Sequence, residues 1–341
     1  MAVLRGPRAS TIGYYIHHRG AGHLHRAQAI AEALPRPVTG LSSLPQPTGW
    51  PGQWIQLPLD TDPSVPVDPT AGGTLHWAPV GSTGLLSRMS SIAAWLAEAG
   101  PACMVVDVSV EVALLARLHG IPVITMGQPG DRRDAAHTLG YTVSAAILAP
   151  WPSSAQPLMK EAGPEPIAVG AISRIPVAEE KPRTGRRVAT LRGHGNVGSS
   201  PLDAAVAALR ALPGWEVVDA IGGRDDIASS LLDARVVLSH CGQNAVAEIA
   251  ATRSPAILLP EDRPHGEQRG LARALLDTGM PALVLDSAEL PTPDDQAAWT
   301  SLVEQAARLE GAAWQGWCDG AGAARAADAI LAVAQAREAG P

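Results

Sequence analysis

Twice along the chain a short apolar strand runs into a glycine-bearing loop and then into a helical pattern, and this repeated unit limits the fold more than any other feature. The first copy is the strand Thr11–Ile16, the loop His17-His-Arg-Gly-Ala-Gly-His23 and the helical stretch Ala27–Leu34. The second is the strand Arg187–Leu191, the loop Gly193-His-Gly-Asn-Val-Gly198 and the helical stretch Leu202–Leu212. Each copy is followed by more strands and helices in alternation. In the first half these are Met104–Val108, Glu111–His119 and Ile121–Thr125. In the second half they are Trp215–Asp219, Val236–Leu238, a helix starting near Asn244, and Ala256–Leu259 stopped by Pro260. Alternating strands and helices build parallel sheets covered on both faces.

A length of 341 residues suits two domains at about 100–200 residues each. Between Ile172 and Thr184 the text turns charged and proline-marked, as linkers do. The expected division is therefore 1–175, 176–320 and a closing helix over 321–341 that returns to the first domain. Between Pro35 and Pro79 stand 10 of the 30 prolines, with Trp50, Trp54 and Trp77 among them. This stretch reads as irregular surface loops with a poorly patterned strand or two, in preference to an aromatic acceptor-facing rim.

Composition narrows the partners. Apolar residues form 46% of the chain and charged residues 17%, a globular mixture. The net charge of −7 offers no basic face for nucleic acid, so a bound phosphate must be met locally by helix-start amides and a few side chains. Three cysteines without metal-ligand or framework spacing fit a reducing compartment, and no signal peptide or membrane-length apolar run is seen. The expected location is cytoplasmic, including the membrane periphery, with no transmembrane segment.

The sharpest local motif is Leu238-Ser-His-Cys-Gly-Gln-Asn-Ala-Val-Ala-Glu248, a strand feeding a polar glycine turn that opens a helix. Free amides and the helix dipole favour an anion there, with His240 and Asn244 as added donors. Glu248, four residues after Asn244, suits a ribose diol. The plain alternative is that Ser239 or Asn244 merely caps the helix. Against it, Glu261-Asp-Arg-Pro-His-Gly-Glu-Gln268 follows the next strand and lands on the same sheet edge.

These residues resemble the nucleotide-sugar signature of GT-B glycosyltransferases: His240-Cys-Gly-Gln-Asn-Ala with Glu248, then Pro255–Pro260, then Glu267-Gln268. The resemblance extends to plant small-molecule glucosyltransferases, to bacterial lipid-linked N-acetylglucosaminyltransferases and to the family 28 C-terminal domain. It covers residues 235–275 well and Thr11–Leu34 moderately. It implies an α/β GT-B fold, two Rossmann-like doubly wound domains facing across a cleft. It also implies that His240, Gly242 and Asn244 meet the diphosphate, Glu248 the ribose, and Glu267 with Gln268 the donor sugar. Gln243 stands where plant enzymes carry an aromatic residue, and Ala245 replaces a serine. Gly193, Gly195 and Asn196 would close over the same phosphates as a backbone nest.

Sugar transfer to a hydroxyl requires a base for its proton, and a histidine titrates in the right range. In the families named, a Gly-His of the first loop contacts the acceptor, which maps to His23. Asp107 ends the strand beside it and either orients the imidazole or caps the next helix. His17, His18 and His25 stand nearby. The charged segment Gln128–Asp134 reads as a solvated, salt-linked loop.

The implied activity is transfer of a sugar from a nucleotide-sugar, UDP-sugar by default, to a small-molecule or lipid-linked acceptor, inverting and with a His base. No cofactor and no metal are expected, since helix-start amides can neutralise the leaving diphosphate. The alternatives are a nucleotide-sugar hydrolase of the same fold, suggested by Gly-His-Leu-His-Arg26, more weakly an epimerase, and a non-catalytic nucleotide-sugar binder.

Overall fold

The computed structural model of the chain describes residues 11–62, 65–155, 158–160, 163–192 and 200–340. In the first half the elements are β1 (Ile12–Ile16), α1 (Ala21–Ala33), β2 (Val38–Ser42), β3 (Gln53–Gln56), α2 (Thr83–Ala99), β4 (Cys103–Asp107) and α3 (Val110–Leu118). They continue with β5 (Val123–Met126), β6 (Gly130–Asp131), α4 (Ala135–Thr142), β7 (Ala146–Ala149), β8 (Met159–Lys160) and β9 (Ile167–Ala168). The second half holds β10 (Arg187–Leu191), α5 (Pro201–Arg210), β11 (Glu216–Asp219), α6 (Arg224–Asp233), β12 (Val236–Ser239), α7 (Gln243–Ala251) and β13 (Ala256–Leu258). It ends with α8 (Glu267–Asp277), β14 (Ala282–Val284), α9 (Gln296–Ala306) and α10 (Gly322–Ala339).

The strands with continuous apolar runs become the buried centres of two sheets. Every residue of β1 and β4, and every residue of β12, is buried, which is how a parallel strand covered on both faces reads. The first sheet has the order β3-β2-β1-β4-β5-β7-β9 and the second β11-β10-β12-β13-β14, with every pairing parallel. In the first, the chain moves outward from β1 to β3 and then returns to the other side of β1 at β4. In the second, the same reversal separates β10 from β12. Crevices open at such points beyond the carboxyl ends of the strands. Ile16 pairs with Asp107 at one reversal and Leu191 with Ser239 at the other.

The proline-rich stretch contributes two paired strands, β2 and β3, and every residue of β2 is buried. Trp50 and Trp54 pack edge to face at 5.1 Å over Gly40, where a Cβ would come within 2.9 Å of Trp50. Trp50 is therefore core rather than rim. The last helix crosses back to the first sheet: Ala326, Ala327, Ile330 and Ala334 bury against the cluster of Ile12, Ile30 and Val105, and Arg36 donates to Glu338 at 2.8 and 3.0 Å. Among the described residues no helix is long and apolar enough to cross a membrane.

Candidate active site

Five helices begin on capping side chains, Ser82, Ser109, Asp134, Ser200 and Asp295 for α2, α3, α4, α5 and α9. The three at the cleft do not. Helices α1, α7 and α8 start on Gly20, Gly242 and Gly266 with no side-chain cap, which leaves their first amides for an anion. Two of these uncapped starts meet across the cleft. A Cβ at Gly22 would fall well inside contact of the Asn244 amide nitrogen and 2.8 Å from its Cγ. Gly22→Ala is therefore expected to displace Asn244 and weaken nucleotide binding about tenfold by calorimetry, with little change in melting temperature, because the obstructed atom is a side-chain tip.

Beneath this contact lies a charged set. Asp107, fully buried at the end of β4, accepts from Arg26 Nη2 at 2.7 and 2.8 Å and from Arg26 Nε at 3.2 Å. It also pairs with His23 Nδ1 at 3.0 Å. Burial would raise the Asp107 carboxyl, but Arg26 and then His23 more than offset it and hold it well below the usual carboxylate range. The ionised carboxylate fixes the hydrogen on His23 Nδ1 and leaves Nε2 with a free lone pair. Asp107 is not the cap of α3, since Ser109 accepts from Val112 N at 3.2 Å in that role. Arg26 also donates to Gln243 Oε1 of α7 at 3.0 Å, so the pair is tied to the second half of the chain. The Gln243 Nε2 is buried with no partner among the described residues.

Around this centre the other expected residues are distributed as follows. His240 is partly buried, and burial lowers its pKa. Glu248 accepts from Arg174 Nε at 2.6 Å, and burial raises its carboxyl despite that partner. Arg174 Nη1 also reaches His25 Nε2 at 3.0 Å, so the linker arginine ties Glu248 to α1. Gln268 is buried and accepts from Glu261 N at 2.9 Å, while Glu267 accepts from Arg132 Nη2 at 3.2 Å. Gly193, Gly195 and Asn196 lie outside the described residues. His17 stacks on His18 at 4.8 Å, with its pKa pushed down by burial to about 3. Its Nδ1 accepts from Arg19 N, at 3.1 Å.

Three site residues have no role assigned in the sequence reading. Arg26 enters there only as the end of the Gly-His-Leu-His-Arg motif, and it sits three positions after His23 on one helix face. Arg174 lies in the expected linker and carries no local signal. The third is Arg132, which corrects the reading of loop 128–134 as solvated throughout. Arg133 and Asp131 do form an exposed pair, but Arg132 between them is 4% exposed and turned to Glu267.

Two parallel sheets with facing crevices define the GT-B fold of glycosyltransferases. Residues 179–309 match the glycosyltransferase family 28 C-terminal domain. Among solved structures, the spinosyn forosaminyltransferase SpnP aligns over 96% of this chain and 100% of its own, at TM-score 0.70 and 14% identity. MurG of Acinetobacter baumannii aligns over 94% and 99%, at TM-score 0.62 and 14% identity. The glycosyltransferase VinC, in complex with dTDP, aligns over 95% and 99%, at TM-score 0.62 and 14% identity. No curated protein sequence matches the chain.

Proposed function

We propose that the protein transfers a sugar from a nucleoside-diphosphate sugar to an acceptor hydroxyl, with inversion and with His23 as general base. The observation that carries this reading is the His23–Asp107 pair, 3.0 Å apart, with His23 in the first turn of α1, where Gly22 lies against Asn244 at the uncapped start of α7. His23 Nε2 accepts the hydroxyl proton as the acceptor oxygen forms its bond to the anomeric carbon. The bond from that carbon to the diphosphate breaks on the opposite face, and the departing charge is met by the amides of α7 with Asn244 and His240. The unsatisfied Gln243 amide supplies one more donor. Helix amides take the part that a metal plays elsewhere, so the diphosphate chemistry needs no cofactor.

Glu248 takes the ribose hydroxyls, and Glu267 with Gln268 the hexose. The donor nucleotide is UDP or dTDP, the latter supported by the dTDP bound to VinC. Glu248→Ala and Gln268→Ala are each expected to lower nucleotide-sugar affinity roughly tenfold or more, because a buried sugar hydroxyl left unpaired costs about 1–3 kcal/mol. Normal binding by both variants would remove the ribose and hexose assignments.

The reaction is tested on a panel of UDP- and dTDP-sugars with and without pooled hydroxyl acceptors. Diphosphate release that depends on acceptor supports transfer. Release of free sugar at the same rate without acceptor replaces it with hydrolysis, and binding without any turnover replaces it with a non-catalytic role.

A further inference from the structure

A second cluster of imidazoles stands at the rim of the cleft, apart from the His23 pair. His76 precedes α2, Asp134 caps α4, His137 lies in its first turn, and His265 comes from the loop before α8. The His76 Nε2 is 3.2 Å from His137 Nδ1, which is 2.6 Å from Asp134 Oδ2, and Asp134 Oδ1 is 3.9 Å from His76 Nε2. These atoms all fall within 4.8 Å of one another. A tetrahedral zinc ion with bonds of about 2.0–2.1 Å separates its ligand atoms by about 3.3 Å, inside the range of these spacings.

Two imidazole nitrogens and a carboxylate converge here from two separate segments of the chain, at the mutual spacings a single tetrahedral cation spans.

We propose that His76 Nε2, His137 Nδ1 and the Asp134 carboxylate bind a borderline transition-metal dication, Zn2+ in preference to Mg2+ or Ca2+. Two imidazoles and one carboxylate are the ligand set of zinc rather than of the hard cations. His265 stands at the edge of the cluster, its ring 4.8 Å from that of His137, with Nδ1 donating to the Asp131 carbonyl at 3.1 Å. His76 is held from behind, where Glu111 Oε1 accepts from the backbone N–H of His76 and Trp77 at 2.7 and 2.9 Å. These contacts fix the backbone that carries the His76 ring.

The bound ion would act on the rim and not on the transfer chemistry. Ligation through Nδ1 puts the remaining hydrogen of His137 on Nε2, which now faces Arg132 Nη1 at 3.3 Å. Two donors cannot share that contact, so Arg132 turns toward its other partner, Glu267. Metal occupancy thereby tightens the link between the first half of the chain and α8.

The untagged full-length protein is titrated with Zn2+ by calorimetry, and with Co2+ to read tetrahedral absorption. One equivalent is expected to bind. His76→Ala and Asp134→Asn should each weaken binding at least about tenfold, the asparagine preserving the helix cap. His119→Ala, altering an exposed histidine at the end of α3, should leave it unchanged. Circular dichroism of the variants reports folding separately. Absence of saturable binding, or affinity that His76→Ala and Asp134→Asn leave intact, overturns the site.

Discussion

His23→Ala is expected to bind nucleotide-sugar as the native protein does while turning it over about 10²–10⁴ times more slowly, the usual worth of a positioned general base. The separation of binding from turnover follows from position. His23 belongs to the first half of the chain, and its partner is Asp107, whereas the groups assigned to the diphosphate belong to the turn after β12 and the start of α7. Removing the imidazole leaves Arg26 on Asp107 and on Gln243, so the cleft keeps its main cross-connection. Steady-state rates beside calorimetric donor affinities check this. A loss confined to affinity would make His23 a binding group, and a comparable loss in His17→Ala but not in His23→Ala would move the base to His17.

The largest stability effect is expected at Arg26. Arg26→Leu leaves the Asp107 carboxylate buried with only His23 beside it, and breaking a buried pair in this way costs about 3–5 kcal/mol. Arg26→Leu combined with Asp107→Leu should recover most of that loss, since no uncompensated charge remains. The dependence on pH has a definite sign. The folded-state pKa of Asp107 lies below its unfolded value, so the pair stabilises the fold at neutral pH, and the contribution is lost as pH falls through the acid range. The difference between native protein and Arg26→Leu should accordingly shrink on acidification. Urea denaturation at several pH values measures it, and a difference that does not vary with pH would mean that Arg26 matters for packing rather than charge.

Fold and site differ in how far they can be read from the residues. The crevice at β12 and α7 is local: Leu238–Glu248 contains its own strand, turn and helix start, so periodicity and one glycine suffice. His23 is legible for the same reason. The residues that hold these groups are not local. Asp107 and Arg26 are 81 positions apart, and Arg174 is 74 from Glu248, so their partnership exists only once the sheets are assembled. Arg132 is hidden differently, since its neighbours Asp131 and Arg133 are an exposed pair of the kind that marks a solvated loop. Strand β2 lacks alternation because every residue of it is buried, and its surrounding prolines suggest loop. The cluster of His76, Asp134 and His137 has the same origin, as His76 is 61 positions from His137 and no ligand spacing can be read from it.

The account rests on a nucleoside diphosphate lying between the starts of α7 and α1, and a crystal structure with UDP or dTDP bound tests that most directly. The expected density places the diphosphate against the amides of Gln243 and Asn244 and beside Gly22, with the ribose at Glu248 released from Arg174. Nucleotide bound elsewhere, or a diphosphate site that leaves Asn244 and Gly22 untouched, would contradict it.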